Sequence, residues 1–215
     1  MSGHSHTRPS TKLIVMKKNR IKIVEYAPSV VDPNILVAYT ADGGRLDLYP
    51  CNVPLERCRT KGKLFVTGSG LFFSLTKRRG LKQVFENFGL VRRTPGMHCH
   101  NGVRGCDYPQ MRDYGLVYCH ILVCTVFHGP RPVVNGVVYQ CDHKNGNIMD
   151  WSKDNLEWVT PHENAKRRAI LRALRMSGRD PRKMAYSELD ALFRKYRLVD
   201  GAKQIEYEMI HHCEC

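Results

Sequence analysis

An Asp-His pair and two well-spaced asparagines stand out in the segment Cys141–Asn164, "CDHKNGNIMDWSKDNLEWVTPHEN". Asp142 and His143 are adjacent; Asn155 follows 12 residues after His143, and Asn164 a further 9. A histidine titrates near neutrality and can take a proton from water. An Asp carboxylate and an Asn carbonyl oxygen are hard ligands suited to Mg²⁺, which keeps several of its waters and binds phosphate oxygens. The other Asn is then free to orient the imidazole. A base, a cation seat and an orienting group are what hydrolysis of a phosphodiester requires.

Gaps of 12 and 9 residues still separate these groups, so the elements between them must bring them together. The run "VVNGVVYQCDH" reads as a strand ending at Asp142-His143. "NLEWVT" reads as a second strand opened by Asn155, with Leu156 and Trp158 on one side and Glu157 and Val159 on the other. Thr160-Pro161-His162-Glu163 is a capping box with Pro at the first helical position. It predicts a helix through "ENAKRRAILRALRM", placing Asn164 in the first turn. Ala165, Ala169, Ile170, Ala173 and Leu174 form its apolar stripe, and Lys166, Arg167, Arg168, Arg172 and Arg175 its basic face. Upstream, "YCHILVCTVFHGP" predicts a short buried helix stopped at Gly129-Pro130, with a strand as the alternative. A further helix is predicted over "YSELDALFRKYRLV", beginning at a capping signal from Ser187 to Asp190.

The N-terminal half alternates short β-like runs with turn signals. "KLIVM" and "RIKIVEY" flank "KKN", "NILVAYT" and "RLDLYP" flank "ADGG", and "KLFVTG" and "LFFSLTK" flank a Gly-Ser-Gly turn. "GLKQVFENFGL" suits either a helix or a strand, and "MHCHNGVRGCDYPQMRD" reads as a long loop.

The strand–loop–strand–helix segment with "CHILVCTVFHGP" before it resembles the HNH homing endonucleases of the ββα-metal (His-Me finger) group. The likeness is to the phage and intron-borne branch, whose pattern includes "NLeWvT..eN". It is close from Cys119 to Lys166, weaker over "FVTGSGLFFSLTKRRGLKQ" and "DYGLVYCHILV", and vague before residue 60. Ile121 stands where the family usually has Arg, and Cys124 where it often has Ala. The resemblance implies His143 as general base, Asp142 and Asn164 as ligands of Mg²⁺ or Mn²⁺, and Asn155 as the group orienting His143. It implies attack of water on phosphorus, leaving 5′-phosphate and 3′-hydroxyl ends.

The implied fold class is α+β: a β-rich N-terminal module, a ββα-metal (HNH) nuclease core and C-terminal basic helices. The expected divisions are a flexible start at 1–12, the β-rich module at 13–115, the nuclease core at 116–176 and a helical segment with tail at 177–215. Net charge is +14, with 34 Lys and Arg against 20 Asp and Glu, which favours a polyanionic partner. Double-stranded DNA is the expected partner, bound by a monomer in the cytoplasm beside the nucleoid. Lys166, Arg167, Arg168, Arg172 and Arg175 are expected to contact phosphates, which would position a duplex without reading its sequence. The polar start "MSGHSHTRPSTK" lacks an apolar core of a secretory signal, and no apolar run approaches the ~20 residues needed to span a bilayer.

Nine cysteines, an odd number, argue for reduced thiols rather than a disulfide framework. Cys51 with Cys58 and Cys99 with Cys106 are spaced more widely than the paired ligands of most structural zinc sites. A zinc-stabilised RNA-binding protein is therefore a lesser alternative, as is a catalytically silent DNA-binding protein of a mobile element. His120 reads as a buried helix residue, and His162 as the rival of Asn164 for the last ligand position. "HHCEC" reads as a frayed tail.

Overall fold

Short alternating apolar runs divided by Gly, Asn and Asp build the N-terminal half, and longer runs with helical spacing build the C-terminal half. The computed structural model describes residues 21, 23–51, 64–77, 88–93, 95–97, 109–111, 117–199 and 201–211. The fold is α+β, with an antiparallel sheet first and helices later. Strands β1 (Ile23–Pro28), β2 (Leu36–Thr40), β3 (Arg45–Pro50), β4 (Leu64–Val66), β5 (Phe72–Lys77) and β6 (Phe88–Arg93) form a six-stranded antiparallel meander in sequence order. The "ADGG" and Gly-Ser-Gly turns connect β2 to β3 and β4 to β5, as their composition predicts. "KLIVM" and the zinc-spaced Cys58, Cys99 and Cys106 lie outside the described residues.

The region read as a long loop is strand at both described ends. Strands β7 (Gly96–Met97), β8 (Pro109–Met111) and β9 (Val117–Tyr118) form a second antiparallel sheet. Polar residues concealed these strands, because pairing rather than apolar content defines them.

Helix α1 (Cys119–His128) follows β9 directly and buries Cys119, His120, Leu122, Val123 and Cys124. It stops at Gly129, whose φ of 81° lies in the left-handed region. The Trp158 indole N–H donates to the Gly129 carbonyl at 3.0 Å, satisfying one acceptor at the helix end. The predicted single strand "VVNGVVYQCDH" is instead three: β10 (Val133–Val134), β11 (Val137–Val138) and β12 (Gln140–His143). Asn135 and Gly136 both have positive φ, 51° and 78°, which is the two-residue turn that reverses β10 into β11. Strand β13 (Leu156–Val159) pairs antiparallel with β12, and helix α2 (Pro161–Met176) follows it.

Alternation along β4 and β5 buries both of their faces. Leu64, Val66 and Phe72 join Cys51, α1, Leu156 and Trp158 in one core, while Phe65 and Phe73 turn to Ala38 and Leu48 in another. The first core thus runs from the meander through α1 to β13, with Cys141 of β12 packed against it. Each large apolar side chain fully buried there contributes about 1.5–3 kcal/mol. A third core joins α2 to helices α3 (Tyr186–Lys195) and α4 (Ala202–His211) through Ile170, Leu174, Leu189, Phe193 and Ile205. The apolar stripe of α2 includes Leu171 and excludes Ala165, which is exposed. Helix α3 begins at Tyr186, the first residue of the predicted stretch, with Ala185 rather than Ser187 as its cap residue. Helix α4 was not predicted.

Candidate active site

Antiparallel pairing of β12 with β13 aligns Gln140 with Val159, Cys141 with Trp158, Asp142 with Glu157 and His143 with Leu156. A single residue, Thr160, then carries the backbone from β13 into α2. Thr160 caps the helix: its hydroxyl accepts from the Glu163 amide at 3.1 Å. The reciprocal half of the capping box is displaced, because the Glu163 carboxylate accepts from Arg167 Nη2 at 2.9 Å. This short connection lays the first turn of α2 beside β12, so Asn164 meets Asp142 although they are separated in sequence.

The Asn164 amide has two orientations. In one, Nδ2 donates to Gln140 Oε1 at 2.6 Å, and Oδ1 accepts from Arg168 Nε at 3.3 Å. In the other, its nitrogen donates to Asp142 Oδ1 at 3.3 Å and its oxygen accepts from Arg168 Nη2 at 3.1 Å. In the first orientation the Asn164 and Asp142 oxygens therefore face each other across 3.3 Å. Neighbouring ligands of an octahedral Mg²⁺, with bonds of about 2.0–2.1 Å, stand ~3 Å apart. With its oxygen turned to Asp142, Asn164 could share a hard divalent cation with that carboxylate; with its nitrogen turned there, it donates to the carboxylate instead. Among the described residues there is no group of three or more His, Cys, Asp or Glu side chains able to hold a metal. Cys119, Cys124 and Cys141 are free thiols.

Asp142 and His143 are only 9% and 6% exposed. Alternation along β12 turns Asp142 toward α2 and His143 toward α1, where its ring centroid lies 5.1 Å from that of His120. His143 is the last residue of β12, so carboxylate and imidazole flank one strand end. Burial holds the His143 imidazole down to about 4, against the opposing pull of the Asp150 carboxylate. Burial, and then the neighbouring His143, hold His120 down to about 3. At neutral pH both rings are uncharged, and His143 has the form that accepts a proton. Burial raises the Asp142 carboxyl above its ordinary value, while Arg167 and the His143 backbone amide work against that rise.

Asn155 is completely buried, and its side chain is committed to the loop after His143. Nδ2 donates to the Asp150 carbonyl at 2.6 Å, and Oδ1 accepts from the Asn145 amide at 3.0 Å. Its own carbonyl accepts from the Lys144 amide at 2.8 Å. Asn155 ends a short 3₁₀ turn rather than opening β13, and this is what turns its amide inward. Through these bonds it fixes the course of the segment leaving His143.

The basic face of α2 divides. Arg167 was expected to contact phosphates, but the structure buries it. Its guanidinium pairs with Glu157 and Glu163 at 2.9 Å and with Asp142 at 3.5 Å, and lies 4.6 Å from the Phe193 ring centroid. Helical spacing explains the error: position 167 lies three residues beyond Asn164, on the inward face. Glu163, four residues before it, was a legible sign of this pairing. Lys166 donates to the Arg197 carbonyl at 2.9 Å, and Arg172 pairs with Glu206 at 2.9 Å. Arg168 and Arg175 are exposed. His162 is exposed as well, whereas Asn164 is the residue that turns to Asp142.

Sequence reasoning passed over Asn145 and Asp150. Asn145 donates to Asp150 Oδ2 at 2.9 Å and accepts from the Asn147 amide at 2.8 Å. The density of Asn and Asp in "KNGNIMDWSKD" was the available signal, since these side chains close turns on neighbouring backbone. The meander also reaches this loop. Trp151 Nε1 donates to the Gly70 carbonyl at 2.7 Å, and the Lys153 amide to the Gly68 carbonyl at 2.9 Å.

Residues 117–166 match the model of a family described as HNH endonuclease. Comparison with curated proteins and with solved structures gives no match.

Proposed function

We propose that this chain is a metal-dependent DNA endonuclease or nickase of the homing type, acting as a monomer on double-stranded DNA in the cytoplasm, at the nucleoid. The HNH endonuclease match over residues 117–166 supports a nuclease, and the net charge of +14 suits a polyanionic substrate. The observation that carries the reading is the approach of Asn164 to Asp142 beside His143. In this reading Asp142 and Asn164 hold one Mg²⁺ or Mn²⁺. A cation bound there offsets the negative charge building on the phosphate and leaving oxygen.

His143 takes a proton from water as the water oxygen bonds to phosphorus. The bond from phosphorus to the 3′ oxygen breaks, and that oxygen gains a proton from solvent, leaving 5′-phosphate and 3′-hydroxyl ends. Asn155 holds His143 in place through the loop. Arg168 and Arg175, exposed on α2, hold the DNA backbone, with Lys166 and Arg172 adding charge to the same helix. One site per chain cuts one strand per encounter.

One observation favours a silent DNA-binding protein as a second reading: Asp142 and His143 are nearly covered. Incubation with supercoiled plasmid separates the two. The expected result is nicked plasmid with Mg²⁺ or Mn²⁺, intact plasmid with EDTA, and intact plasmid with His143→Ala although DNA binding persists. Plasmid that is bound but never cut, across metals and target sequences, establishes the silent binder and overturns the nuclease.

A further inference from the structure

Helix α3 lies outside the HNH match, yet its side chains reach the loop that leaves His143. The centre of the contact is Asp150. Its Oδ2 accepts from Asn145 Nδ2 at 2.9 Å and from the Tyr186 hydroxyl at 2.8 Å. Its Oδ1 accepts from the Ser152 hydroxyl at 2.8 Å and from the Ser152 amide at 3.3 Å. The Ser152 and Tyr186 hydroxyls are themselves 3.3 Å apart. A second tie stands one helical turn further on, where Asp190 pairs with Lys144 at 3.2 Å. Tyr186 and Asp190 are four residues apart and so share one face of α3. Their partners, Lys144 and Asp150, bracket the loop.

Besides the tie from Trp151 to the Gly70 carbonyl, the loop is held from two sides. Asn155 holds it from inside, through the Asp150 carbonyl and the Asn145 amide. Helix α3 holds it from outside, through the Asp150 carboxylate and Lys144. The Gly146 amide also donates to the His143 carbonyl at 2.7 Å, so displacement of the loop is felt at His143.

We infer that Tyr186 and Asp190 are positioning residues for phosphodiester hydrolysis, clamping the segment 144–152 so that His143 and Asn155 keep their places. The inference rests on the nuclease reading above. It makes α3 part of the apparatus that positions the site.

The test uses the full chain with Mg²⁺ and a plasmid substrate. Tyr186→Phe removes one hydroxyl and keeps the ring; Asp190→Asn removes the charge facing Lys144. Loss of a hydrogen bond to a charged group at this half-buried site lowers kcat by about five- to tenfold. KM and DNA affinity stay within about twofold, since in this proposal both residues act through the loop and not on DNA. Amide exchange in 144–152 accelerates while that of the 133–138 hairpin is unchanged. Added to Asp150→Asn, Tyr186→Phe has little further effect, because the hydroxyl acts through that carboxylate. A kcat within twofold of the wild type overturns the inference. So does a kcat loss matched by weaker DNA binding, or an exchange increase spread over the whole chain. If the wild-type protein cuts no DNA, the nuclease reading falls and takes the catalytic role of α3 with it. Amide exchange then decides separately whether α3 orders the loop.

Discussion

Replacing Arg167 by Met tests whether this residue belongs to the interior or to the DNA-binding face. Three carboxylates surround its guanidinium, and they differ in what they lose. The side chains of Glu157 and Glu163 are 43% and 36% exposed, so water rescues their charges and each pair contributes little. Asp142 has an 11% exposed side chain and would be left as a buried charge without its cation. Breaking a buried pair from one side costs about 3–5 kcal/mol, and losing the contact with Phe193 adds about 0.5–1 kcal/mol. In a chain of this size each kcal/mol moves Tm by about 2–4 °C. The expected fall is therefore on the order of 10 °C by thermal melting. Adding Asp142→Asn should restore much of it, because the stranded charge is then gone. The salt dependence of DNA binding, measured where both proteins are folded, should not change. An Arg167→Met protein with unaltered Tm and a shallower salt slope would show that the guanidinium faces phosphate, and would refute the assignment.

Arg168→Gln and Arg175→Gln should each flatten the slope of log affinity against log salt by about 1, with Tm almost unchanged; equal slopes would remove both from the DNA-binding face. Gly70→Ala places a methyl group 2.5 Å from Trp151 Cδ1 at a φ of +81°, so it should cost about 1–3 kcal/mol and slow cleavage by disturbing the loop that bears Trp151. Full stability on chemical denaturation would contradict that packing. Acid stability follows from the two imidazoles. His120 and His143, held near 3 and 4, are neutral when folded, so the unfolded chain binds protons first as pH falls. Their contribution is whole above pH ~6.5 and is lost progressively from there toward pH 4. Asp142, raised by burial, works in the opposite direction. Tm should drop between pH 7.5 and 5, and drop less in His120→Phe; identical pH profiles for the two proteins would sink this account.

The chain of elements around the site was legible because each carried a local signal. The Thr160 cap, the Leu156–Trp158 alternation and the Gly129-Pro130 stop are encoded in adjacent residues, and α1, β13 and α2 appear where those signals put them. The Asn135-Gly136 reversal was equally local and was overlooked in favour of the Val-rich runs around it. What composition could not reveal is pairing at a distance. Lys and Arg on α2 look alike as a string, but one of them meets three carboxylates drawn from β12, β13 and its own helix. Likewise Asn145, Asp150 and Tyr186 have no common pattern in the sequence, since Tyr186 reaches Asp150 only after α3 folds against α2.

The core shared by Leu64, Val66, Phe72 and helix α1 limits how this protein can be cut and recombined. A fragment confined to the family match would carry Leu122 and Trp158 without the strands that cover them, and would present a greasy, sticky face. The smallest portable unit therefore takes β4 and β5 along. Any transfer of residues 117–166 to another protein should carry that hairpin with it.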